Sequence, residues 1–196
     1  MTVQIGSQIW LQKNCKELYF SNGDEIPNLK HRGDWYRSII NKTPALYISE
    51  FYGGEILYNY FAVIDPRGIL PHPYKIPTLC DANELIEFCG GKEIAGLKLK
   101  STDNKEFEEV AYLDEKSRER KKLYGNSSGF TAVETGFKRK DGYSSIGMTA
   151  NFWVIDNIKD VYCLQLIDGF EEAIIKNHPK LVDCGFSIRG IKNPEL

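Results

Sequence analysis

Long apolar runs are missing from this chain. No stretch approaches the ~20 residues of a membrane span, and Met1-Thr2-Val3-Gln4-Ile5-Gly6 has neither the basic nor the apolar segment of a secretory leader. No membrane span is expected, and the compartment stays open between the cytoplasm and a secreted protein whose leader has been removed. Excess charge of one sign is also missing. Lys plus Arg total 25 and Asp plus Glu total 27, a formal charge of −2. A nucleic-acid binder draws its affinity from clustered Lys and Arg that displace counterions, so no nucleic-acid partner is expected. Cysteine is sparse and badly spaced for chemistry. The five, Cys15, Cys80, Cys89, Cys163 and Cys184, are odd in number and never two residues apart, unlike zinc ribbons or thioredoxin-like motifs. Buried free thiols are expected. A Cys163–Cys184 disulfide remains open, because both lie in strand-like segments.

Recognisable catalytic patterns are equally scarce. There is no G-x-S-x-G nucleophile elbow, and Gly90-Gly91 follows a helical segment instead of opening one, as a phosphate loop would. His31, His72 and His178 each sit in polar, turn-like surroundings beside Lys, Arg or Pro, which suits solvated loop histidines. No catalytic residue, metal ligand or cofactor is assigned.

What is present is a core-forming composition, 42% hydrophobic and 12% aromatic over 196 residues, enough for one domain spanning 1–196. Val3, Ile5, Ile9 and Leu11 alternate, predicting one strand from Val3 to Leu11. Asn22-Gly23-Asp24 predicts a turn. A short helix is expected over Asp34–Asn41, limited by Pro44. Glu55–Ile64 is apolar on both faces and predicts a central strand, broken by a turn at Asp65-Pro66-Arg67-Gly68. Pro71, Pro73 and Pro77 predict a rigid, irregular segment. From Thr78, which forms a capping-box pattern with Asp81, the residues Leu79, Ala82, Leu85, Ile86 and Cys89 recur at helical spacing until Gly90-Gly91. Between Asp114 and Lys122 eight of nine residues are charged, with Asp114 and Arg118 at i,i+4, and a solvated helix or loop is expected there. Val161–Ile167 predicts a strand with Tyr162, Leu164 and Leu166 on one face, and Gly185–Ile191 a closing strand. Strands outnumber helices and no βαβ repeat appears, so the class is α+β.

Several of these segments, in order, resemble the Fibrobacter succinogenes major paralogous domain, found in secreted and surface proteins of bacteria. Ile5-Gly6-Ser7-Gln8-Ile9-Trp10-Leu11 with Asn14 is similar to the family's opening. Tyr19, Asn22-Gly23-Asp24 and Ile26-Pro27-Asn28 match its first turn. Leu57-Tyr58-Asn59-Tyr60, Ala62-Val63 and Asp65-Pro66-Arg67-Gly68 follow. Then come Ile76-Pro77-Thr78, Gly90-Gly91, Ala95-Gly96 with Lys98-Leu99-Lys100, Asn126, Ser128-Gly129-Phe130-Thr131-Ala132 and Gly185-Phe186-Ser187-Ile188-Arg189. The chain departs from the family pattern at Pro73-Tyr74-Lys75, where a Trp and a His are lost, at Ala82, and at Arg189-Gly190. A charged stretch at about 103–124 looks inserted.

The resemblance implies a C-type lectin-like fold with mixed, mainly antiparallel sheets, one or two helices and long irregular loops. In that superfold the first and last strands pair and a long irregular region is displayed, here 136–170. Two chemistries of the superfold are not carried over. A calcium sugar site finds no match in Glu25-Ile26-Pro27-Asn28 or in Trp153-Val154-Ile155-Asp156-Asn157. A formylglycine-generating site needs a close cysteine pair, which Cys163 and Cys184 are not.

The expectation is therefore a non-enzymatic binding or display module for a glycan or protein at a bacterial surface, the alternatives being an assembly component or a hidden hydrolase or oxidoreductase. Trp10, Tyr58, Tyr60 and Trp153 are expected in the core. Tyr143, Met148, Asn151, Asp168, Phe170 and Glu171 are the expected ligand-facing residues.

Overall fold

Gly6 turns the first alternating segment back on itself. With φ at +61°, a conformation cheap only for glycine, it joins β1 (Thr2–Ile5) to β2 (Gln8–Leu11) in an antiparallel hairpin. The single strand expected over Val3–Leu11 is thus two. The buried parity switches across the turn, from Ile5 to Gln8 and Trp10, and leaves Ile9 and Leu11 half-buried. The computed structural model describes residues 1–101, 125–157 and 160–194, so the charged insertion, with 114–122, lies outside the described residues.

Helix α1 (Arg32–Ile40) follows and buries Trp35. Next come β3 (Leu46–Ile48), β4 (Ile56–Asn59) and a one-turn helix α2 (Tyr60–Val63). The strand expected over Glu55–Ile64 stops halfway because of Asn59. Its buried Oδ1 accepts from the N–H of Ala62 at 2.9 Å and of Ala45 at 3.0 Å, while its Nδ2 donates to the Thr43 carbonyl at 2.9 Å. That makes Asn59 an N-cap and satisfies all the amide's polar atoms without water. The turn at 65–68 forms as expected, the Gly68 N–H donating to Asp65. The proline-rich segment contributes β5 (Tyr74–Lys75). Helix α3 (Leu79–Phe88) starts with both halves of the Thr78/Asp81 capping box in place, and α4 (Ala95–Leu99) follows after one loop.

The second half supplies β6 (Phe137–Arg139), β7 (Gly142–Ser144), β8 (Thr149–Asn157), β9 (Asp160–Ile167) and β10 (Ala173–Asn177). A 3-10 turn over Pro179–Asp183 leads to β11 (Gly185–Phe186) and β12 (Ile191–Lys192). The closing strand expected over Gly185–Ile191 is therefore split between two sheets. Among the described residues the sheets have orders β1-β2-β12-β5, β10-β9-β8 and β3-β4-β11-β6-β7. Their ladders are antiparallel, with isolated parallel bridges such as Phe152–Ser187. The class is α+β, with more helices than the one or two expected. The two extra ones are four and five residues long, too short to carry a periodic signal.

The chain ends meet as the resemblance implies. Ile191 pairs with Trp10, and the N–H groups of Leu11 and Cys15 donate to the carbonyls of Gly190 and Ile188 at 2.9 and 2.8 Å. The β8–β9–β10 sheet stands between two cores. Ala150, Phe152, Leu164 and Leu166 face a core shared with Ile5, Trp10, Leu85 and Phe130. Trp153, Val161 and Cys163 face the other, with Phe20, Leu46, Tyr58 and Phe186. A sheet covered on both faces needs apolar residues at both parities.

Candidate functional site

The expected ligand-facing residues separate into three places. Asn151 is not displayed at all. It is 1% exposed near the start of β8, where Nδ2 donates to the Gly136 carbonyl and Thr149 Oγ1, and Oδ1 accepts from Gln165 Nε2 at 2.8 Å. The displayed region expected over 136–170 is overturned with it, since that span holds β6 to β9 and much of both cores. Residues Phe152, Trp153 and Val154 are apolar without alternation, which is the pattern of a doubly covered strand and not of a loop.

Met148, Asp168, Phe170 and Glu171 do come together, at one end of that sheet. Met148 ends the turn before β8, and the Asp168 N–H donates to its carbonyl at 2.7 Å. Phe170 closes the turn after β9, its N–H donating to Ile167. Met148 is 59% and Phe170 55% exposed, so two large apolar side chains face water from adjoining turns. Lys100 holds the second turn from behind. Its ammonium is buried and donates to the carbonyls of Ile167 and Phe170. Gly96 of α4 packs so close that a Cβ there would lie 2.4 Å from the Glu172 carbonyl oxygen. The turn is thus fixed by a cation and by backbone contact, and its exposed side chains are presented on a rigid base.

Tyr143 lies elsewhere, on β7. Its ring stands edge-on to Tyr47 with centroids 5.3 Å apart and tilted to Phe51 at 6.3 Å. Its hydroxyl accepts from Ser49 Oγ at 3.0 Å and donates to the Thr135 carbonyl. Burial pushes the Tyr143 phenol up to about 12, so it remains a neutral donor. Lys138 Nζ sits 4.1 Å over the Tyr47 ring. Phe51 is 44% exposed at the tip of the β3–β4 loop, where Tyr52, Gly53 and Gly54 all have positive φ. Tyr47 and Phe51 escape sequence reading because they lie far from Tyr143 in the chain and meet it only in the folded structure.

A groove of about 580 Å³ runs beside the Phe170 turn, lined by α3, the 91–93 loop and the outer edge of β10. The signal for it in the sequence is faint: Ile174 and Ile175 precede Lys176 and Asn177 in an edge strand.

Arg189 is a heavily bonded polar group. It is 1% exposed. Its guanidinium donates to Asn14 Oδ1 from both Nε and Nη2, at 3.1 and 2.6 Å, and to the carbonyls of Leu11, Gln12, Phe130 and Thr131. It lies over the Phe130 ring at 4.5 Å. Burial lowers the Arg189 guanidinium to about 9. Asn14 passes the contact on to Glu55 at 2.6 Å, and Glu55 pairs with Lys16 at 2.9 Å. This clasp joins the start of the chain, the 130–131 segment and the end. The buried thiols are no better placed for chemistry. All five cysteines are free, with Cys80 alone exposed, so the Cys163–Cys184 disulfide does not form. Desolvation pushes Cys15 and Cys184 up to about 11 and raises Cys89 and Cys163 as well, the reverse of a thiolate nucleophile.

Topology and packing define an α+β fold in which the segment after β2 and the segment before β12 are clasped together. The chain belongs to the Fibrobacter succinogenes major domain family, whose model matches residues 3–192. Neither a curated protein nor a solved structure matches the chain. No helix among the described residues is long and apolar enough to cross a membrane. The residues that carried the resemblance in sequence now have physical jobs: Asn14, Phe130 and Arg189 build the clasp, Asn59 caps α2, and Lys100 fixes the Phe170 turn.

Proposed function

We propose that the chain is a non-enzymatic recognition module that takes a protein partner at the Met148–Phe170 end of the β8–β9–β10 sheet, in a protein of a bacterial surface. One observation carries the reading: Met148 and Phe170, both more than half exposed, sit on turns that Lys100 and Gly96 hold still. Apolar anchors rimmed by polar groups, here Asp168 and Glu171, are the usual composition of a binding hot spot, and prior rigidity lowers the ordering cost of association. The raised thiols and the saturated Arg189 support a role without covalent chemistry. A C-type lectin-like arrangement is part of the proposal, supported by the Ile191–Trp10 pairing, although fold alone does not carry function.

The Tyr47–Phe51–Tyr143 cluster supports a second reading, a glycan seated on aromatic faces beside Ser49. The two separate by mutation. Met148→Ser/Phe170→Ser should weaken capture of surface-protein partners by about 2 kcal/mol, on the order of thirtyfold in Kd, with a glycan-array profile unchanged. Phe51→Ala should do the opposite if the glycan reading holds. A double variant that captures partners as the wild type does would remove the Met148–Phe170 face from the proposal.

A further inference from the structure

Among the described residues strand β10 is an edge, and its outer side carries no second strand. The sheet order β10-β9-β8 leaves it paired to β9 alone among the described residues, with Ile175 opposite Leu164 and Asn177 opposite Tyr162. The direction of its backbone groups follows from one bond. The Ala173 N–H donates to the Lys92 carbonyl at 2.8 Å, away from β9. Backbone groups in an antiparallel strand alternate sides, so those of Ile175 and Asn177 also point outward. Natural edges are covered, bulged or crossed by inward-facing charge, because an open edge recruits another strand. Here the first position is occupied by Lys92, and no other described backbone group pairs with the next two, which lie beside the 580 Å³ groove under α3.

The groove wall states what kind of strand would fit. Ile86 and Ile175 form an apolar floor, while Glu87 on α3, Glu93 in the loop and Glu172 before β10 bring three carboxylates against the one ammonium of Lys92. The three glutamates are exposed, so they sit at the rim, where charge selects the partner and steers its approach.

We infer that β10 is an acceptor edge for an extended peptide strand of another protein that carries lysine or arginine at alternate positions. Backbone pairing with Ile175 and Asn177 supplies sequence-independent binding. The alternate basic side chains reach the glutamates, and intervening apolar ones pack over Ile86 and Ile175. The inference rests on the reading of the chain as a protein-recognition module, but it uses a surface separate from Met148 and Phe170.

The test uses the full chain and a blocked, fluorescent decapeptide alternating lysine and valine, with a glutamate–valine peptide as control. Anisotropy should show binding of the lysine peptide only, weakening as salt is raised. Glu87→Lys/Glu172→Lys should lower that affinity tenfold or more, and Glu93→Lys provides an independent exposed variant should the double one misfold. Amide exchange at Ile175 should slow at least tenfold in the complex, while Met148→Ser/Phe170→Ser leaves the peptide affinity unchanged. Equal binding of both peptides, no binding up to about 1 mM, indifference to charge reversal, or an unprotected Ile175 amide would each overturn the acceptor edge. None of those outcomes bears on the Met148–Phe170 face.

Discussion

Arg189 is a charge that the protein keeps without water. Its guanidinium is matched to carbonyl oxygens and to Asn14 instead of to a direct carboxylate partner, with Glu55 one step behind Asn14. Removing the fork would strand buried acceptors, each costing roughly 1–3 kcal/mol. Arg189→Lys, which keeps the charge but loses the planar fork, should cost on the order of 3 kcal/mol in urea unfolding. A loss under about 0.5 kcal/mol would show the clasp to be ornamental. The thiols give a pH signature. Their folded-state pKa values are raised, so their contribution is complete below the unfolded thiol range and is lost as pH rises through about 11. Stability should fall above about pH 9 with a slope near 1.4 kcal/mol per pH unit for each buried thiol that ionises on unfolding, and Cys15→Ala should flatten part of that fall. In the native state an alkylating reagent should modify Cys80 first, and the four buried thiols only after denaturant is added.

At the scale of elements, α4 is the support that matters for the exposed face. A methyl at position 96 has no space, since the nearest atoms are the backbone of Glu171 and Glu172, and backbone cannot rotate aside as a side chain would. Gly96→Ala should therefore displace the Phe170 turn, lower stability by about 1–3 kcal/mol, and weaken partner capture even though Gly96 touches no ligand. Equal capture with intact stability would show the turn to be held by Lys100 alone.

Elements whose signals are local were legible in the sequence. Helix α3 announces itself through Thr78, Asp81 and the glycines beyond it, β9 through its alternating Tyr162, Leu164 and Leu166, and the core aromatics through their motifs. Elements set by distant partners were not. The stop at Asn59 depends on Thr43, Ala45 and Ser38, and the Gly6 reversal is masked by alternation that runs on through the turn. Of the candidate site, Met148, Asp168, Phe170 and Glu171 were legible as a group. Asn151 was misplaced because a polar side chain paired to Gln165 inside a sheet reads, one residue at a time, like a surface amide. The β10 groove was unreadable, being made by α3 lying beside a strand some ninety residues later.

At the scale of the whole molecule, the β8–β9 hairpin gives one face to each core. The two cores are therefore expected to open together. Trp10, Trp153 and Trp35 report from three separate packing clusters. Variants retaining one tryptophan at a time should give the same denaturation midpoint, coincident with far-ultraviolet circular dichroism, as a two-state domain requires. Midpoints that separate would mean that the hairpin does not couple the cores.

The placement of that hairpin also decides where this scaffold tolerates variety. Randomising 149–155 or 161–166 would scatter changes through two interiors at once, and most members of such a library would not fold. Met148 and Phe170 stand more than half exposed on turns whose backbone is fixed from behind. Together with Glu171 they form a panel on which new specificities can be selected, provided Gly96 and Lys100 are left as they are.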